Sequence, residues 1–193
     1  MYEKFLLLCH SSLNDEAKSE LLATVIQCHE GSAVSNRSNL SNVVVLEAGF
    51  GSLDFGNSVI AGLASLGGLH APIAGARRAL YGLSFGELEQ CIKTGEIVPG
   101  WGNSFFKDDI DPSWKCFDVL LKQKYPIESE KLERRTRLFW EHGRKVYPNA
   151  ASYSAIACEL LGINKGLEVL PFILGRLAVW AELFDEHCTG KIK

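Results

Sequence analysis

The chain predicts an all-α protein. Apolar residues recur at helical spacing through most of its 193 residues, no stretch alternates apolar and polar residues long enough to make a strand, and glycine or proline closes most of the helical runs. A 47% hydrophobic fraction is enough for a real core, and the length allows one domain or two small lobes. There is no internal repeat and no low-complexity linker.

The elements follow in order. Residues 15–28 put Leu21, Leu22, Val25 and Ile26 on one face, with Asn14 or Ser12 as N-cap. Residues 29–41 are rich in Ser, Asn and Gly and read as a loop. Helices of small and apolar residues are expected at 42–50 and 57–67. Gly67-Gly68 ends the second, and Pro72 opens the next, which runs through Leu80. His70 would sit at that helix's N-terminus, where the backbone N–H groups and the dipole attract anions. Ser84 and Glu87 have capping-box spacing for a helix over 84–94, closed by Gly95. Further helices are expected at 113–123, at 129–146 with Ser129 as cap, at 150–161 and at 165–186. The helix over 129–146 carries Arg134, Arg135, Arg137, Arg144 and Lys145 on its outer face, a pattern that reads as solvated rather than phosphate-binding.

A net charge of -3 gives no case for nucleic acid or an anionic membrane. Six scattered cysteines without a Cys-x-x-Cys pair argue against zinc and against a disulfide framework, and point to reduced thiols and a cytoplasmic setting. The apolar run in Met1–Cys9 is too short for a signal peptide. The most apolar stretch, Leu167 to Phe184, carries Glu168, Pro171, Arg176 and Glu182, so it reads as a buried helix and not a membrane span.

The least generic stretch is Val98-Pro99-Gly100-Trp101-Gly102-Asn103, which runs on through Lys107 to the acidic run Asp108-Asp109-Ile110-Asp111-Pro112. Two glycines and a proline between helices make a loop shaped to present backbone to a ligand. The other reading is an interhelical connection around a buried aromatic plug.

Three segments, in order, resemble the citrate synthase family. Leu66-Gly67-Gly68-Leu69-His70 is similar to its Gly-Pro-Leu-His-Gly-Gly-Ala segment. Val98–Asn103 with Lys107 and Asp111-Pro112 is similar to its Pro-Gly-aromatic-Gly-His…Asp-Pro-Arg loop. Tyr147-Pro148-Asn149-Ala150-Ala151-Ser152-Tyr153-Ser154 is similar to Pro-Asn-Val-Asp-x-Tyr-Ser. Gly175-Arg176 and Trp180 fit its arginine-bearing final helix, and His29-Glu30-Gly31 resembles a further substrate-histidine segment, at a spacing to His70 that looks too long. The resemblance implies a citrate-synthase-like small helical domain over 70–157, with 1–69 and 158–193 as a remnant of the large helical domain. It also implies condensation of an acyl-CoA with a 2-oxo acid, using a carboxylate base, two histidines and carboxylate-binding arginines.

Residue by residue the implied site is incomplete. His70 matches the enolate-stabilising histidine and Arg176 a substrate-binding arginine. Asn103 stands where the second histidine belongs, Ala151 where the base belongs, and Ser113 where an arginine belongs. The resemblance therefore implies a pseudoenzyme, a binding or interaction module with Arg176 for a carboxylate; in an altered-chemistry enzyme His70 and Asn103 would be the surviving electrophilic pair. A coenzyme A or acyl-CoA ligand would lie against Val98, Pro99, Gly100, Trp101 and Gly102, with no cofactor required and no metal. Its alternatives are an altered acyl-CoA or citryl-CoA enzyme (a transferase or lyase), or one subunit of a hetero-oligomer. The apolar stretches 42–66 and 167–184 imply a homodimer, or a heteromeric partner in second place. Refolding of residues 1–28 over them is the other way to cover them.

Overall fold

In the computed structural model, which describes residues 10–35, 42–45, 47, 54–66 and 72–189, the helices gather around one buried segment. Every residue from Ala151 to Cys158 is buried, and they belong to the helix Ala150–Leu160. Its residues are mostly Ala, Ser and Cys, small enough for neighbours to approach from all sides. The chain has no strand among the described residues. One isolated antiparallel bridge joins Trp101 and Pro148.

We number the helices in chain order. α1 is Asp15–Ser35, started by Asn14, whose Oδ1 accepts the Ala17 N–H at 2.9 Å. The loop expected over 29–41 is corrected here: α1 continues through Ser35. Its Ser- and Gly-containing last turns are held by long-range packing, which outweighs weak local preference. Residues 42–45 are helical, and α2 is Phe55–Ala64, capped by Asp54. Residues 48–50 of the helix expected at 42–50, the glycines expected to end α2, and His70 lie outside the described residues. α3 is Ile73–Arg77 and passes into a π-helical turn, Arg78–Gly82. The buried Arg135 guanidinium closes that turn by donating to the Ala79 carbonyl at 2.7 Å and the Leu83 carbonyl at 2.7 Å. This arginine is therefore a structural clamp and not part of a solvated face.

α4 is Phe85–Lys93 and has the capping box expected of Ser84 and Glu87. A 3₁₀ turn, Pro112–Trp114, leads into α5, Lys115–Lys124. α6 is Pro126–Glu141 and begins at its proline, so Ser129 is a buried interior residue and not the cap. α7 is Ala150–Leu160, capped by Asn149. α8 is Leu170–Cys188, shorter at its start than the expected 165–186.

α1 runs along α8 and also meets α5 and α7, while α3 packs on α7 and α5 on α6. Phe172, Gly175, Arg176, Val179, Trp180 and Leu183 form the buried stripe of α8, and Ala178, Ala181, Glu182 and Asp185 are exposed. α8 is thus amphipathic rather than apolar on most sides, and α1 supplies its cover. Trp180 Nε1 donates to Asn42 Oδ1 at 3.1 Å, which ties residues 42–45 to the same helix. Among the described residues no helix is long and apolar enough to cross a membrane.

Candidate functional site

Four segments far apart in sequence meet beside α7. They are His29 on α1, Asp111 to Trp114 at the start of α5, Tyr153-Ser154 on α7, and Phe172 to Arg176 on α8. Gly175 is what allows it. A Cβ there would come within 2.6 Å of both His29 Cβ and the Ile26 carbonyl, so only glycine lets α8 approach α1 this closely.

The His29 ring is fully buried, edge-on to Trp114 at 4.8 Å and to Phe172 at 5.0 Å. Its Nε2 lies 2.8 Å from Ser154 Oγ, and that hydroxyl donates to the Ala150 carbonyl at 2.7 Å. A serine has one proton to give and the carbonyl can only accept, so His29 Nε2–H is the donor to Ser154. Burial, and then the nearby Arg176, hold the imidazole well below its usual pKa of 6.5, so it is neutral. The remaining nitrogen, Nδ1, is then a lone-pair acceptor, and it is buried without a partner among the described residues.

Arg176 is 3% exposed, its guanidinium 4.8 Å over the Phe172 ring. Among the described residues it makes no hydrogen bond, and Nε and Nη1 are fully buried. Burial brings its pKa down to about 10, with Asp111 acting in the opposite direction. Asp111 is itself engaged: Oδ1 accepts from Ser113 N at 3.0 Å and from Ser113 Oγ, and Oδ2 from Ser32 Oγ at 2.8 Å. Trp114 Nε1, also buried, has no partner among the described residues either. A buried positive charge thus lies near His29, whose free ring nitrogen is an acceptor, and the Trp114 ring lies against that histidine, a set of groups suited to an anion that also carries a hydroxyl.

The neutral His29 has a measurable consequence. Below pH 6.5 the unfolded chain protonates this histidine and the folded one does not, so the unfolded state binds more protons and stability must fall as pH falls. The slope attributable to one such group is at most about 1.4 kcal/mol per pH unit. Urea unfolding at several pH values below 7 should show a steeper loss for the wild type than for His29→Gln. Identical pH dependence would mean that His29 is charged in the fold.

The loop over Val98–Asn103 turns its indole inward. Trp101 is buried, stacks on Phe139 at 5.2 Å, and donates Nε1–H to Thr136 Oγ1 at 2.9 Å, so it is the aromatic plug. Gly100 O accepts from Asn149 N and Ser152 Oγ, Gly102 N donates to Tyr147 O, and Gly102 O accepts from Asn149 Nδ2. The Gly100 carbonyl and the Gly102 N–H and carbonyl are therefore engaged by the segment that leads into α7. Gly100 has φ 102°, and a side chain there would collide with Ser152, so Gly100→Val would damage the fold before it reported on a ligand. Val98 and Pro99 instead line a cavity of about 210 Å³, together with Gly75, Arg78, Leu83 and Ile97.

Asn103 is drawn into its own loop. Its Oδ1 accepts the Phe105 N–H at 2.9 Å and the Phe106 N–H at 3.4 Å, and no hydrogen bond joins it to His29 or Arg176. Ala151 is buried in the first turn of α7. His29, set aside on spacing, is the residue beside Arg176. The signal that could have found it was the His29-Glu30-Gly31 segment itself, in a stretch that reads as loop, together with Gly175 before Arg176 in the apolar run.

No protein-family model matches the chain, and no curated protein does. Solved structures do. The citryl-CoA lyase of Hydrogenobacter thermophilus matches with a TM-score of 0.80 at 18% identity, over 97% of this chain and 75% of the lyase. The ATP citrate lyase of Methanothrix soehngenii, in complex with citrate and coenzyme A, matches at 0.67 and 19% identity, over 89% of this chain and 32% of that one. The citrate synthase of Thermoplasma acidophilum, in a ternary complex with carboxymethyl coenzyme A and oxaloacetate, matches at 0.57 and 20% identity, over 76% and 43%. The chain has the citrate-synthase-like all-α fold, and it spans less than half of two of these three proteins.

Proposed function

We propose that this chain is a citrate-synthase-like binding module without condensing activity, and that it holds a hydroxy-carboxylate such as citrate between Arg176 and His29. The observation that carries the reading is Arg176, a buried guanidinium without a hydrogen-bond partner among the described residues. An isolated charge in that position costs several kcal/mol, and a bound carboxylate offsets that cost. The acceptor nitrogen of His29 adds selectivity for a ligand with a hydroxyl to donate. Two of the similar structures were solved with citrate or oxaloacetate, and both with a coenzyme A species.

A coenzyme A-type ligand fits the cavity at Val98 and Pro99 in part. About 210 Å³ is below the range for a whole drug-sized ligand, and the exposed Arg78 on its wall is a cation for a phosphate. His70 belongs to the same proposal by resemblance alone. We assign 70–157 to a small domain and the flanks to a large-domain remnant, a division consistent with α1 and α8, one from each flank, packing on each other. Ile60, 64% exposed, with Phe55 and Val43, is the apolar surface on which a homodimer or a heteromeric partner would form.

Isothermal titration tests the reading. Citrate is expected to bind more tightly than tricarballylate, its analogue without the hydroxyl, by roughly fivefold to tenfold, the value of one hydrogen bond. Equal affinities would remove His29 from the site, and no binding of either would remove the proposal.

A further inference from the structure

Two thiols border this site without taking part in it. Cys28 and Cys116 are 88 positions apart, yet their Sγ atoms are 3.4 Å apart. Cys28 is buried on α1, next to His29, and Cys116 is exposed in the first turn of α5, two residues after Trp114. Both are free thiols. The scattering of cysteines along the sequence concealed this pair.

We propose that Cys28 and Cys116 form a thiol-modification site that reacts with low-molecular-weight disulfides of the glutathione disulfide class and ends as an intramolecular disulfide. Exposure assigns the roles. Cys116 releases its proton to solvent and attacks one sulfur of the small disulfide, whose S–S bond breaks. One small thiolate leaves and takes up a proton, and Cys116 carries the other as a mixed disulfide. Cys28 then loses its proton and attacks the Cys116 sulfur, expelling the second small thiol. Two protein thiols are oxidised by two electrons and one small disulfide is reduced to two thiols. Cys28 is the second to act for two reasons. Reagent does not reach it, and burial, followed by the neighbouring Cys116, pushes its thiol pKa up. Asp111 acts on it in the same direction, against the weaker effect of the Phe117 backbone, so Cys28 stays a thiol until the mixed disulfide beside it offers a sulfur to attack.

The bond, about 2.05 Å long, needs the two sulfurs to close by little more than an ångström. It would fasten α1 to the start of α5 across the wall that carries His29, Ser32, Asp111 and Trp114. Such a bond closes a long loop and restricts the unfolded chain, so the oxidised protein should melt higher.

The test is incubation of the full chain with glutathione disulfide, followed by peptide mapping without reduction. The wild type should yield a cross-linked peptide containing Cys28 and Cys116, reversed by dithiothreitol, with a melting temperature raised by roughly 5 °C or more. Cys28→Ser and Cys28→Ala should stop at a glutathione adduct on Cys116, and Cys116→Ser should give neither product. A wild type in which the Cys116 adduct persists uncross-linked, or in which Cys188 is modified and Cys116 is not, would overturn the assignment.

Discussion

Arg176→Met should make the protein more stable and unable to hold a carboxylate. The two outcomes have one cause. The guanidinium is 3% exposed, has no hydrogen-bond partner among the described residues, and lies over the Phe172 ring, where a methionine of similar length would pack as well. Asp111, the carboxylate that acts on it, is already fixed by Ser32 and Ser113. Exchanging buried ionic groups for apolar side chains of similar volume stabilises by about 1–4 kcal/mol, which for a chain of this size is a rise in melting temperature of roughly 2–15 °C. Citrate affinity should fall between about thirtyfold and a few thousandfold, because the ligand's buried carboxylate loses its charge partner. Arg176→Lys separates charge from geometry: it keeps the destabilising charge but not the planar fork, so it should bind weakly and not melt higher. If Arg176→Met melts lower than the wild type, the arginine is holding the fold together and the anion site is wrong.

How far the sequence reveals this arrangement can be judged residue by residue. Capping is local chemistry, and the Ser84–Glu87 box and the Asn14 cap are legible because donor and acceptor lie within three or four residues of each other. The all-helical fold is legible for the same reason: periodicity is a short-range pattern. The extension of α1 through His29 is not, since its Ser- and Gly-containing end is held by α8 packing against Gly175, 146 positions away from His29 in the chain. The role of Trp101 is legible as one of two readings, a buried aromatic plug or part of a ligand loop. A Pro-Gly-Trp-Gly loop reads as backbone offered to a ligand, and only the position of Thr136 and of the start of α7 decides that both indole and main chain turn inward. Arg176 was visible as a charge in an apolar run, but its lack of a hydrogen-bond partner among the described residues is a property of the fold. The Cys28–Cys116 contact depends on how α1 meets α5, and no spacing rule predicts it.

No citrate should form from acetyl-CoA and oxaloacetate above the uncatalysed background, and Ala151→Asp should not restore the reaction. Removing a proton from an unactivated methyl needs a positioned base, and its loss alone lowers the rate by about a hundredfold to ten-thousandfold. Ala151 offers only a methyl group in the first turn of α7. The obstacle is the rest of the site. The Asn103 carboxamide oxygen is turned back on its own loop by the Phe105 and Phe106 N–H groups, and no hydrogen bond brings the side chain to His29 or Arg176. Where the resemblance calls for a second arginine, Ser113 binds Asp111, which leaves a negative group in place of a positive one. Each deficit multiplies the others, so Ala151→Asp should remain at least about a hundredfold below a competent enzyme even with the base returned. Citrate formation is best followed by mass spectrometry, because the exposed Cys116 and Cys188 would consume thiol reagents. Citrate made by the wild type and lost in both His29→Ala and His70→Ala would show that the chain is an enzyme after all. Full activity in Ala151→Asp would show that the base was the one part missing.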